Sequence, residues 1–380
     1  MSGTERMVIA WSAASAVWWG IALVLVHSAR RVPTTPQVPT TSPIPSLTLF
    51  KPLPAVPDEE ARDTLASAVG SFIAQMDAST EMRVGVPVEQ RTLWQPVLNA
   101  WGEQFPDAKV RVVFHNTPRQ RANPKVAWLE LLAPEATGEV WLWSDADIRA
   151  PEGFLQDLRR ELLLHPTAGA VTAPYGIRST AHAAGWWDAL FVNMEFLPGA
   201  LLLGRIGTVP LAFGAAVLFR AADLHRRVSW DSLGSSLADD HELGRCLAPV
   251  VVSRRVAETC ALETRLLPAL RHVYRWQKTI RWCRPGGFAA LIAILPLLGW
   301  GAHCVVAPSD ARAWIGLVGQ YAFECGVAAA LLNRVGFRGP PAGWLALLAW
   351  PASRALVWLD AWLPIPVRWG ASQTWERPNH

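Results

Sequence analysis

Charge is what this chain has least of. Charged residues make up only 17% of its 380 positions, against roughly 25% in an ordinary soluble domain, which excludes a surface solvated all round. The net charge of +4 is small for this length. Its basic residues lie mostly beside apolar segments, which points to lipid headgroups or phosphates as partners and away from nucleic acid. Cysteine is scarce as well: Cys246, Cys260, Cys283, Cys304 and Cys325 are scattered singly, with no C-x-x-C pair. That spacing excludes a zinc ribbon or a disulfide-stapled scaffold and fits free thiols in a reducing compartment. There is no internal repeat.

In place of charge the chain has 51% hydrophobic residues and 21 tryptophans, the aromatic favoured where apolar surface meets a wet headgroup layer. Residues 7–26, "MVIAWSAASAVWWGIALVLV", are uncharged and long enough to span a bilayer. A secretory signal would have a shorter apolar centre and a small-residue cleavage site, so residues 1–30 are expected to be a retained membrane anchor. Arg30 and Arg31 then place the following chain in the cytoplasm. The Pro- and Thr-rich stretch 31–46 reads as an extended tether. After residue 285 apolar runs return: 286–307 and 313–332 have spanning length, while 343–363 is interrupted by Pro351 and Arg354 and either spans or lies in the interface. The expected organisation is therefore a multi-pass protein of the inner (cell) membrane. Its cytoplasmic domain covers 47–285, its C-terminal membrane segments 286–365, and its tail 366–380.

Between the anchor and those segments, apolar β-type runs at 47–51, 82–86, 109–114, 140–144 and 169–174 alternate with helical patterns at 59–76, 89–104, 124–132 and 151–164. This predicts an α/β fold with a doubly wound, mostly parallel sheet. Its strands read apolar throughout because helices cover both faces.

Three clusters carry chemistry. "VWLWSDADIR" ends a buried strand in Asp145 and Asp147. Two carboxylates at the carboxyl end of a parallel strand can seat a hard divalent cation, Mg²⁺ or Mn²⁺, which in turn holds a diphosphate. The bland alternative is a loop or helix cap before Pro151. "LADDHELG" places Asp239 and Asp240 at a helix start, where one acid can act as a general base, or the pair can form a capping box. "LRHVYRWQKTIRWCRP" brings Arg271, His272, Arg275, Lys278, Arg281 and Arg284 immediately before a membrane segment. These cations can lie on anionic lipid, meet a departing diphosphate, or do both.

The order of "FKPL", "NPKV", D-x-D, "DD" and the basic R-W helix resembles glycosyltransferase family 2 folds of the ceramide glucosyltransferase type. "FGAAVLFRAADL", "LADDHELGR" and "RHVYRW" are most similar to the hopanoid-biosynthesis group. The resemblance implies a membrane enzyme moving N-acetylglucosamine from a UDP-sugar donor to a membrane lipid acceptor, a polyol-tailed hopanoid. It assigns Asp145 and Asp147 to the nucleotide sugar and its metal, Asp240 to the base, and Lys125, Asp239, Arg271 and His272 to substrate binding. The family's R-W motif has two matches, ending at Trp276 and Trp282, of which Arg275-Trp276 is preferred for its spacing from Asp240. One departure stands out: the Asp usual at the end of the family's second strand is absent from "MRVGVPVEQ", where Glu89 is the nearest acid. A ceramide glycosyltransferase, a processive polysaccharide synthase and a non-catalytic membrane scaffold are the alternatives.

Overall fold

The computed structural model describes residues 2–30, 44–116, 121–369 and 373–375. Most of the expected tether, 31–46, and most of the tail, 366–380, lie outside the described residues. The chain forms two compact units interleaved in sequence, one from residues 31–176 and 200–262, the other from 1–30, 177–199 and 263–380.

The first unit is α/β. Its strands are β1 (Leu47–Pro52), β2 (Thr80–Pro87), β3 (Lys109–His115), β4 (Val140–Ser144), β5 (Ile148–Arg149), β6 (Ala170–Thr172), β7 (Tyr175–Gly176), β8 (Ala216–Arg220), β9 (Val250–Val252) and β10 (Ala257–Thr259). Seven of them form one sheet in the order β3-β2-β1-β4-β8-β6-β9, while β5, β10 and β7 form a small second sheet. Pairing is parallel from β3 to β4 and between β6 and β9, but β8 runs antiparallel between β4 and β6. Every residue of β1 and β4 is buried, because apolar side chains pack on both faces of a central strand. Val140 and Leu142 join the main core with Leu47, Leu49, Met82, Val84, Phe72, Trp94 and Phe154. The alternate residues of β4 point the other way: Trp141 packs 5.0 Å from Phe50, and Trp143 lies 5.0 Å from Phe219 and stacks on Trp230 at 5.5 Å.

The chain builds outward from β1 to β3, then crosses back to place β4 on the other side of β1. Such a reversal opens a crevice at the carboxyl ends of the two neighbouring strands, where ligands bind in open sheets of this kind. Lys51 lies near the end of β1 and Asp145 directly follows β4.

The second unit is helical. Among the described residues, four helical runs are long and apolar enough to cross a membrane: Gly3–Arg30, Ala311–Val335, Pro341–Asp360 and Gly185–Ile206, the last of which begins in this unit. The segment expected as one span at 286–307 is broken instead, with Pro285–Ile294 and Pro296–Val306 meeting at 63°. Pro296 has no N–H to continue the preceding helix, and its ring clashes with the turn before it. The Gly185–Ile206 run was not expected, because Asn193, Glu195 and Pro198 interrupt its apolar pattern.

Candidate active site

Asp145 and Asp147 fall on a turn between β4 and β5, closed by Ile148 N–H donating to the Asp145 carbonyl at 3.3 Å. Different neighbours hold the two acids. Lys125 Nζ lies 2.6 Å from Asp145 Oδ1. Asp147 Oδ2 accepts from Thr259 Oγ1 at 2.8 Å, and its carbonyl accepts from Cys260 N–H at 3.0 Å. The small sheet therefore aims Asp147, since Ile148 pairs with Thr259 across β5 and β10. Neither acid caps the next helix, Phe154–Leu164, whose N-cap is the left-handed Gly153.

"NPKV" is a helix start. Asn123 Oδ1 accepts from Val126 N–H at 3.2 Å, and Pro124 takes the first turn, where a missing N–H costs nothing. Lys125 follows and reaches both Asp145 Oδ1 and, at 3.0 Å, Asp239 Oδ2. Asn123 Nδ2 ties the same cluster by donating to Asp239 Oδ1 at 3.2 Å and to the Ser236 carbonyl at 3.0 Å.

Asp239 and Asp240 open the Asp239–Cys246 helix, but its N-cap position is Ala238 and no side chain caps it. The capping-box alternative is thereby excluded. Asp240 instead accepts two backbone N–H bonds, Gly214 to Oδ2 and His241 to Oδ1, both at 2.8 Å. Gly214 sits among these groups: a Cβ built on it would stand 3.0 Å from Asp145 Oδ2, 3.3 Å from Asp240 Oδ2 and 3.6 Å from Lys125 Nζ. Only a residue without a side chain fits that close approach without moving a neighbour.

Beneath the turn, Lys51 is fully buried and donates to Ser144 Oγ at 2.9 Å, the Asp145 carbonyl at 2.7 Å and the Ile148 carbonyl at 3.2 Å. Its ammonium thus fixes both ends of the D-x-D turn from below. Ser144 Oγ donates its own hydrogen bond to the Ala215 carbonyl at 2.7 Å, which links the turn to the segment carrying Gly214.

The electrostatics follow from burial and crowding. Burial pushes the Lys51 ammonium down to about 7, against the pull of Asp147 and Asp145. For Lys125 burial acts in the same sense, but Asp145, Asp239 and Asp240 together outweigh it and hold its pKa above the ordinary lysine value. Asp240 is pushed up to about 6 by desolvation, with repulsion from Asp239 adding and Lys125 opposing. Asp145 is raised in the same way, by desolvation and by Asp147 and Asp239. Four carboxylates thus face one firmly charged lysine and one easily neutralised one, and the cluster is short of positive charge.

Among the described residues no group of three His, Cys, Asp or Glu side chains could hold a metal ion. The set suits a cation that takes only one or two carboxylates and completes its shell with phosphate and water oxygens, as Mg²⁺ and Mn²⁺ do.

The structure brings Lys125, Asp145, Asp147, Asp239 and Asp240 together in the α/β unit. Arg271, His272, Arg275 and Trp276 belong to the helical unit, on the Leu266–Cys283 helix. There His272 Nδ1 lies 3.1 Å from Asp188 Oδ1, and its ring meets Trp276 at 4.6 Å. Trp276 in turn packs 5.3 Å from Phe191. Glu89 is exposed in the single turn after β2. Asn123, Ser144, Gly214, Thr259 and Lys51 were not singled out from sequence. Of these, Lys51, Asn123, Ser144 and Gly214 stand within the motifs quoted from the sequence, and Thr259 left no signal there.

A family model described as glycosyl transferase family 21 matches residues 9–374. No curated protein matches the chain. Among solved structures, a mannosyltransferase from Pyrobaculum calidifontis in complex with GDP-Man and Mn²⁺ is similar at 18% identity and a TM-score of 0.45, covering 94% of this chain and 99% of that one. GalNAc-T7 with UDP, GalNAc and Mn²⁺ is similar at 10% identity and a TM-score of 0.42, over 64% of this chain and 51% of that one.

Proposed function

The chain belongs to glycosyl transferase family 21, and from that premise we propose that it is a membrane-bound inverting enzyme transferring a sugar from a UDP-sugar to a hydroxyl of a membrane lipid. The observation that carries the reading is the cluster of Asp145, Asp239 and Asp240 around Lys125, with Asp147 aimed by Thr259 on the same turn, at the carboxyl end of the strand where the sheet reverses.

In this reading Asp240 accepts the proton of the acceptor hydroxyl as its oxygen bonds to the anomeric carbon. The bond from that carbon to the diphosphate breaks on the opposite side and UDP leaves, so one base suffices and no covalent enzyme intermediate forms. Two backbone N–H donors fix the Asp240 carboxylate without neutralising it. Lys125 binds the donor beside Asp145, and Asp239 with Asn123 keeps its ammonium in place. Asp145 and Asp147 would hold a divalent cation, which supplies positive charge to the diphosphate. Arg275 and Trp276 are assigned to the departing diphosphate, and Arg271 and His272 to substrate binding, on their motif. The long apolar helices support a multi-pass placement with the acceptor kept in the bilayer, and Arg30 and Arg31 favour an α/β unit on the cytoplasmic side. The preferred pair is UDP-N-acetylglucosamine and a polyol-tailed hopanoid, which rests on the motif resemblance.

The test is UDP release in purified membranes offered each donor, with mass spectrometry of the lipid extract. A hexosamine on a hopanoid supports the full reading. A hexose on a ceramide replaces the substrates but keeps the reaction, and UDP release unchanged by Asp147→Ala would refute the site.

A further inference from the structure

Four arginines of the helical unit stand at the ends of helices long and apolar enough to cross a membrane. Arg30 closes the Gly3–Arg30 helix, and Arg334 lies in the last turn of Ala311–Val335. Arg338 sits in the connection to the next such helix, Pro341–Asp360, and Arg178 shortly precedes the Gly185–Ile206 run. All four are exposed.

The fold gathers them from three distant stretches of chain. Arg338 N–H donates to the Arg178 carbonyl at 2.8 Å, and Thr180 N–H donates to the Arg338 carbonyl at 3.0 Å. These bonds make a short parallel bridge between Ser179 and Arg338. A Cβ built on Gly336 would stand 2.7 Å from Arg30 Nη2, so the Arg30 guanidinium reaches the turn midway between Arg334 and Arg338. Gly336 has a φ of 77°, the left-handed conformation in which helices commonly end. Trp186 holds the same connection, with its ring 4.9 Å from Phe337 and 5.5 Å from Trp344, which is 52% exposed.

The charge on this rim has one sign. No Asp or Glu occurs in 20–30, 177–187 or 325–345, and among the described residues none of the four guanidiniums pairs with a carboxylate. At the starts of the same two helices the signs are mixed, with Glu5 beside Arg6 and Asp310 close to Arg312. Helix-end electrostatics account for Arg30 and Arg334, since each meets the negative end of a helix dipole. They do not account for Arg178 and Arg338, which lie outside the helices. Four unpaired like charges repel one another, and an anion that meets them relieves the repulsion.

The surroundings name the anion. The ends of membrane-length helices lie at the headgroup layer, where exposed Trp344 is also favoured, and lipid phosphates are the anions concentrated there. Guanidinium groups match phosphate oxygens with paired donors. A zwitterionic headgroup carries its own cation, which the arginines repel, whereas an anionic headgroup does not. We propose that Arg30, Arg178, Arg334 and Arg338 form a binding site for the phosphate of an anionic phospholipid, such as phosphatidylglycerol, and hold this rim in an anionic leaflet. The proposal rests on the membrane placement and not on the transfer reaction.

The full chain is reconstituted in phosphatidylcholine nanodiscs with trace spin-labelled phosphatidylglycerol or phosphatidylcholine, and the immobilised fraction of each label is read by electron paramagnetic resonance. The wild type is expected to immobilise phosphatidylglycerol preferentially, and less so at high salt. Arg178→Gln and Arg338→Gln, both outside the helices, should each reduce that preference by up to about fivefold. No preference in the wild type, or one unchanged in both folded variants, overturns the proposal. Displacement of the labelled lipid by inorganic phosphate or by UDP at constant ionic strength would assign the arginines to a soluble anion and also overturns it. Release of the chain from membranes by alkaline carbonate would instead refute the membrane placement.

Discussion

Replacing Asp240 with Asn changes one oxygen to an amino group, and the structure sets opposite consequences for activity and stability. The wild-type carboxyl has its pKa raised from 3.8 to about 6, mainly by desolvation. The sign follows from proton uptake: the native state binds this proton more tightly than the unfolded chain, so stability falls as pH rises from about 4 to 6. Above pH 6 the full penalty applies, at most ~3 kcal/mol, reduced by the solvent that the part-buried side chain still meets. Asn removes that penalty but can accept only one of the two backbone N–H bonds from Gly214 and His241, a loss of about 1–2 kcal/mol. Asp240→Asn should therefore melt at or above the wild type at pH 7.5 and clearly below it near pH 4. Its turnover should drop by roughly 10²–10⁴, the usual contribution of a positioned base. Wild-type activity should fall about tenfold per pH unit below about pH 6 as the base protonates. The assays are UDP release across pH and thermal unfolding of the detergent-solubilised chain. A variant keeping more than about a tenth of wild-type turnover, well above the loss expected for a base, would show that Asp240 is not the base.

Gly214→Ala places a methyl group 3.0 Å from Asp145 Oδ2. The fold should survive while the donor KM rises about tenfold, corresponding to roughly 1.4 kcal/mol of displaced contact, read by donor titration beside circular dichroism. Lys51→Met leaves the Asp145 and Ile148 carbonyls without their donor and should cost about 1–3 kcal/mol. Because the Lys51 pKa is lowered from 10.5 to about 7, its burial penalty is full below pH 7 and relieved as pH rises, so the gap to wild type should widen between pH 7 and 9 in chemical denaturation.

What was legible in the sequence was local. Strands 47–51 and 140–144 announced themselves by continuous apolar runs, and helix 124–132 by its helical pattern, all within a few residues of the observed ends. The long apolar helices Gly3–Arg30 and Ala311–Val335 were readable from length and composition, because a helix that crosses a membrane satisfies its backbone internally and needs only apolar side chains. The paired acids singled out Asp145, Asp147, Asp239 and Asp240, and the family resemblance added Lys125, but their spacing along the chain gave no measure of their distance in space.

Tertiary structure decided everything that depends on groups far apart in the chain. Nothing in "AVLFR" says that β8 runs antiparallel between two strands, since its side chains alternate identically in either direction. Lys51 reaches Ser144 across 93 positions, and Thr259 reaches Asp147 across 112. The ion pairs of Arg354 with Glu195 and Glu324 exist only where separate helices pack. Local sequence specifies periodicity and caps because those interactions lie within a few residues. It does not specify which buried polar atoms find partners, because that depends on which distant segments meet.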